Sequence, residues 1–197
     1  MTAKREILRV DIMDMAAYGE ERAARRAEIS RVKCDRRLAV GPFATFYFES
    51  YDTMWMQIHE MLFVERGGEN QIPNELNAYN PLIPHGKNLV ATLMFEIADG
   101  DMRARELARL GGIEKTIRFE LGEGAIAAQP IADGVERTTD AGKTSAVHFL
   151  QFDFTAAEIE KFRDSTVRAV ISISHSNYGH MANIPDIVRD ALDGDFD

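Results

Sequence analysis

The chain has 197 residues, 45% of them hydrophobic, with a formal net charge of −9 and a pI near 5.1. That length and apolar content fit one α+β domain over residues 1–197 and exclude general disorder, while the acidic balance argues against a nucleic-acid partner. No stretch approaches the run of about 18 apolar residues that a membrane helix needs, no apolar leader opens the chain, and the single cysteine, Cys34, excludes an internal disulfide and fits a cytoplasmic location.

In chain order, residues 14–35 read as an exposed amphipathic helix, rich in Ala and Arg and capped by Asp14. Residues 37–40 and 43–49 read as two strands of a hairpin around Gly41-Pro42. Residues 53–66 form a helix that is apolar on nearly every side, started by Thr53 and ended by Gly67-Gly68. Such a helix is normally buried, so its polar side chains Gln57 and Glu60 must join a network or build a site. Gln57 and Glu60, three apart, share a face and are expected to tie the helix to a sheet, while His59 diverges from Glu60 by about 100° and is expected at the surface.

Residues 69–88 are rich in Pro and Gly, with a short helix over 74–79; a connection this long suggests a lid or partner-binding arm. A strand over 89–97 precedes a helix over 102–110, a hairpin over 115–121 and 125–129, and a polar loop over 133–142. The clearest strands are 145–154 and 166–174, separated by a helix over 156–163 that Thr155 caps, and a last helix spans 184–192 with Pro185 in its first turn. Strands joined by short turns, with helices at both chain ends, predict an antiparallel or mixed sheet.

Period-two alternation turns His148 and His175 to the apolar sides of their strands. If the helix over 156–163 returns the chain alongside itself, both lie on one side of one sheet. Glu49 ends the strand over 43–49, Glu96 sits inside the strand over 89–97, and Glu60 belongs to the buried helix. Two histidines and a carboxylate suit a divalent metal such as iron, zinc or manganese. The spacing carries no fixed metal motif, and the competing reading is a pair of core histidines satisfied by backbone or carboxylate. Cys34 lies among Arg31, Lys33, Arg36 and Arg37, which favour a thiolate, yet no second cysteine is there to resolve an oxidised form. Tyr178 and His175, in the polar stretch that follows the last strand, are candidates for a metal-free site. No phosphate-binding glycine loop and no nucleophile elbow occurs.

The phrases Arg37-Leu-Ala-Val-Gly-Pro42, Gln57-Ile-His-Glu-Met61, Glu75-Leu-Asn-Ala-Tyr-Asn80, Ala91-Thr-Leu-Met-Phe-Glu96 and Lys143-Thr-Ser-Ala-Val-His148, in that order, resemble a bacterial domain-of-unknown-function family, number thirty-five-oh-one. The resemblance runs from the first helix to the last. It implies a small soluble protein without an assigned activity, encoded near rubrerythrin-like and iron–sulfur proteins, and hence a redox protein partner. A homodimer is expected on general grounds. The competing function is a non-catalytic partner-binding protein whose histidines are structural.

Overall fold

The computed structural model describes residues 4–131, 137–138 and 142–197. In chain order its elements are α1 (Met15–Cys34), β1 (Arg37–Val40), β2 (Ala44–Phe48), α2 (Tyr51–Glu65), α3 (Ile72–Tyr79), β3 (Asn88–Phe95), α4 (Gly100–Leu107), β4 (Ile117–Leu121), β5 (Gly124–Ala127), β6 (Gln129–Pro130), β7 (Val147–Asp153), α5 (Ala156–Arg163), β8 (Ala169–His175), β9 (Tyr178–Asn183) and α6 (Asp186–Asp193). The fold is α+β. Most of the polar loop expected over 133–142 lies outside the described residues.

Local signals set most boundaries. Asp14 caps α1, accepting from the amides of Ala16 and Ala17. Thr155 and Glu158 form a reciprocal capping box on α5. At α2 the cap is Ser50 rather than Thr53; Thr53 is the box partner whose hydroxyl accepts from the Ser50 amide at 2.8 Å. The helix ends one residue before the glycines, on Arg66 in the left-handed region at φ 57°. The polar stretch after residue 174 forms a further strand, β9, because His175 pairs with Tyr178 across a two-residue turn.

Where one sheet was expected the described residues form two, both antiparallel. One has the order β1-β2-β3-β7-β6 and the other β5-β4-β8-β9. Their inner faces share one core. Phe119 of β4 lies 5.8 Å, ring to ring, from Phe152 of β7 and 5.1 Å from Phe154, and Phe162 and Phe196 close the end of this layer. Helix α5 therefore does not return the chain alongside β7. It crosses the end of the sandwich and delivers β8 to the opposite sheet, because β7 is already bonded on both edges, to β3 and to β6.

Tyr178 fastens the sheets at the other end. Its hydroxyl donates to the Val40 carbonyl at 2.7 Å and accepts from the amides of Phe43 and Ala44, so a β9 side chain completes the β1–β2 turn. Gly41 holds φ +75° there, and a Cβ at that position would come within 2.7 Å of the Tyr178 hydroxyl.

The outer face of the five-stranded sheet carries α2, and α1 packs on α2. A second apolar cluster joins Met54, Ile58 and Leu62 of α2 to Val90 of β3 and to Ile72, Leu82 and Ile83. The stretch over 69–88 is thus folded down as a wall beside α2, with Ile83 1% exposed, rather than held out as an arm. The C-terminal segment is fixed by two buried arginines. Arg36 donates to the carbonyls of Phe48, Glu49 and Ala191 and pairs with Asp195. Arg189 donates to four carbonyls at and beyond the end of α5. Among the described residues no helix is long and apolar enough to cross a membrane.

Candidate functional site

The residues singled out from the sequence do not converge on one site. His148, 1% exposed, points from β7 into the core, where its Nε2 lies 3.0 Å from the Ser145 carbonyl and 3.0 Å from the Thr144 hydroxyl. Its Nδ1 faces a Glu114 carboxylate oxygen at 4.0 Å, and neither atom has a hydrogen-bond partner among the described residues. Burial pulls the imidazole below its ordinary value, opposed by the Glu114 charge. His175 ends β8 in the opposite sheet, its Nε2 3.3 Å from the Gly111 carbonyl and its Nδ1 accepting from the Asn177 amide. The two rings therefore belong to different sheets, His148 in the core and His175 half-buried at a strand end, not on one face of one sheet. Tyr178, expected in a pocket, is 4% exposed and serves the hairpin joint described above.

Glu60 and Gln57 also part company. Glu60 accepts a bidentate pair from Arg22 at 2.8 Å, a bond from Arg26 at 2.8 Å and one from the Tyr18 hydroxyl at 2.7 Å. The Arg22 hydrogen bonds, helped by Tyr18, hold its carboxyl down at about 2. This network ties α2 to α1, not to the sheet, because Arg22 and Arg26 project from the facing helix one turn apart. His59 is 0% exposed rather than at the surface. Its ring stacks on Trp55 at 3.7 Å, its Nε2 accepts from the Met13 amide and its Nδ1 donates to the Trp55 carbonyl. The missed cue was Trp55 four residues earlier, which lies on the same side of the helix.

The other two carboxylates stand on the outer face of the five-stranded sheet. Glu49 is buried at the end of β2, one oxygen accepting from the Thr92 hydroxyl at 2.6 Å and the other from the Thr53 hydroxyl at 2.7 Å. Glu96 accepts from Thr45 at 2.7 Å and Tyr47 at 2.9 Å. Among the described residues no group of three His, Cys, Asp or Glu side chains is placed to hold a metal ion, and nothing in the geometry supports a metal-centred redox role.

What this face does contain is open space. Two cavities of about 370 and 360 Å³ lie where α1, α2 and α3 overhang the sheet, and they share Lys33, Tyr47 and Gln57 in their walls. The first is edged by Arg37, Cys34, Met56 and Glu60. The second is floored by Glu49 and Thr92 and walled by Met54, Met94, Val147 and Phe149. Together they form a groove, polar at one end and mostly apolar at the other, in the size range of ordinary ligand pockets. Gln57 reaches the Tyr79 hydroxyl at 3.5 Å across it. Sequence reasoning found Glu49, Gln57 and Glu60, and it named Lys33 only as a basic neighbour of Cys34. It missed Tyr47, Tyr79, Met94 and Phe149, since their convergence depends on how the helices settle on the sheet.

A family profile described as "Protein of unknown function (DUF3501)" matches residues 6–196. The chain is also similar to a solved structure, a novel protein of unknown function from Burkholderia pseudomallei. That likeness has 34% identity and a TM-score of 0.88, over 97% of this chain and 99% of that one. No curated protein matches.

Proposed function

The chain belongs to the DUF3501 family, whose description assigns no activity, and we propose that it is a binding protein for a small organic molecule held in the groove between α1–α2–α3 and the outer face of the five-stranded sheet. One observation carries this reading. Two adjoining cavities share polar walls at Lys33, Tyr47 and Gln57 while the deeper one is lined by Met54, Met94, Val147 and Phe149. An apolar body with a few convergent polar groups is the usual chemistry of a ligand site. The floor is rigid as well. The Glu49 carboxylate is held by hydroxyls from two different elements, so the polar groups beneath the ligand are already ordered.

Cys34, exposed on the rim of the groove, provides the test. With a trifluoromethyl label on that thiol, a screen of small organic molecules is expected to shift the fluorine resonance for a subset of compounds. Met94→Trp, which fills the apolar cavity, removes those shifts while leaving the melting curve in place. A diverse library in which no compound moves the resonance overturns the proposal.

A further inference from the structure

We infer that the ligand of this groove is a small amphipathic anion, its carboxylate or phosphate head held by Lys33 and Arg37 and its hydrocarbon body lying over Met94 and Phe149. The inference rests on the groove reading above and adds the chemical class of what fills it.

The charges at the groove are unequally satisfied. Every acidic side chain at the groove is already engaged. Glu60 is bound by two arginines and a tyrosine, Glu49 by two threonines, and neighbouring Glu96 by Thr45 and Tyr47. The cations fall into two groups. Arg26 pairs with Glu60 and Arg36 with Asp195. Lys33 and Arg37 pair with no carboxylate among the described residues, and both line the polar end, Lys33 in the walls of both cavities.

Lys33 sits in the last turn of α1, where a cation complements the helix dipole, and that accounts for its charge. It does not account for Arg37, which stands on β1 opposite Tyr47, outside the helix. In a chain of net charge −9, a cleft presenting two cations unmatched by carboxylate among the described residues, with its own carboxylates engaged, is suited to an anion. The polarity along the groove then orients the guest. The charged end meets Lys33 and Arg37, and the apolar end enters the cavity of about 360 Å³ between Met54 and Phe149.

Four probes with one hydrocarbon tail test this: decanoate, decyl phosphate, decanol and decyltrimethylammonium. Each is titrated as monomer against the full chain, by calorimetry and by the Cys34 fluorine signal. The two anions are expected to bind about tenfold more tightly than decanol, and the cation more weakly than decanol. Comparing decanoate with decyl phosphate separates the two head groups. In Lys33→Gln/Arg37→Gln the anions lose their advantage and bind no more tightly than decanol binds to the same variant. Decanol matching the anions, or a double variant that keeps the preference, overturns the anion assignment and leaves the groove as a binding site. Screening hits at Cys34 with no binding of any of the four probes overturns it equally. Silence from the probes and from the whole library removes the groove reading itself.

Discussion

The two faces of the five-stranded sheet are built by different physics, and the contrast locates the site. The inner face meets the second sheet through interlocked aromatics: Phe119, Phe152, Phe154, Phe162 and Phe196 contact one another at 4.9–6.0 Å, edge to face or tilted. That arrangement fills space and gains from both burial and ring geometry. The outer face sets hydroxyls against carboxylates and leaves gaps under the helices. Polar pairs are directional, so they hold their partners at fixed positions without filling the volume around them. A filled layer carries stability; a scaffolded one with gaps can take a guest.

Phe119→Ala, which opens a cavity in the filled layer, separates the two faces most directly. It is expected to cost about 3–5 kcal/mol in denaturant unfolding. Molecules that stay folded should retain groove binding, because Phe119 lies on the far side of the sheet from it. An equal loss of binding by the folded fraction would show that the two faces are not independent.

Glu60→Gln is expected to cost about 1–3 kcal/mol, since it leaves Arg22 and Arg26 facing a neutral amide at a partly buried junction. The pH dependence supplies a second check. The folded-state value of Glu60 is depressed to about 2 from an ordinary 4.5. Its stabilisation is therefore present above about 4.5 and is lost as pH falls from there toward 2. Urea midpoints followed over that range should fall less steeply in the variant.

His59 and His148 work in the same direction at higher pH. Burial depresses both, so the stability tied to their neutral forms is complete above pH 6.5 and declines as acid protonates the unfolded chain. His59→Gln should flatten that decline as pH falls below 6.5, measured by thermal melts in matched buffers.

The smallest expected effect is Thr92→Val, which removes one of the two hydroxyls on Glu49 at nearly constant volume. It should cost about 1 kcal/mol and weaken groove binding more than it weakens the fold, because the loosened carboxylate lies in the groove floor. A variant that binds as the native chain does would show that Glu49 is not part of the site.

Much of the local structure was legible. The caps at Asp14 and Thr155, the hairpin at Gly41-Pro42 and the alternation along β7 are short-range patterns, and the molecule follows them. The inward turn of His148 was readable for the same reason, since strand periodicity alone sets it. The site was legible only in fragments. Glu49 and Gln57 lie in the groove, while His148, His175, Tyr178 and Glu60 serve the core, a strand end, a hairpin and a helix pair.

Short-range signals were enough for most of the elements, the caps of α1 and α5, the α+β class and the apolar side of β7, because each follows from interactions among residues a few positions apart. Long-range packing alone divides the described strands between two sheets, sends α5 from one to the other, and brings Lys33, Arg37, Gln57 and Phe149 to one groove. The reason is physical. Periodicity tells a side chain which face to take, but not which distant face will meet it; that is settled by which edges are already bonded and how the layers pack.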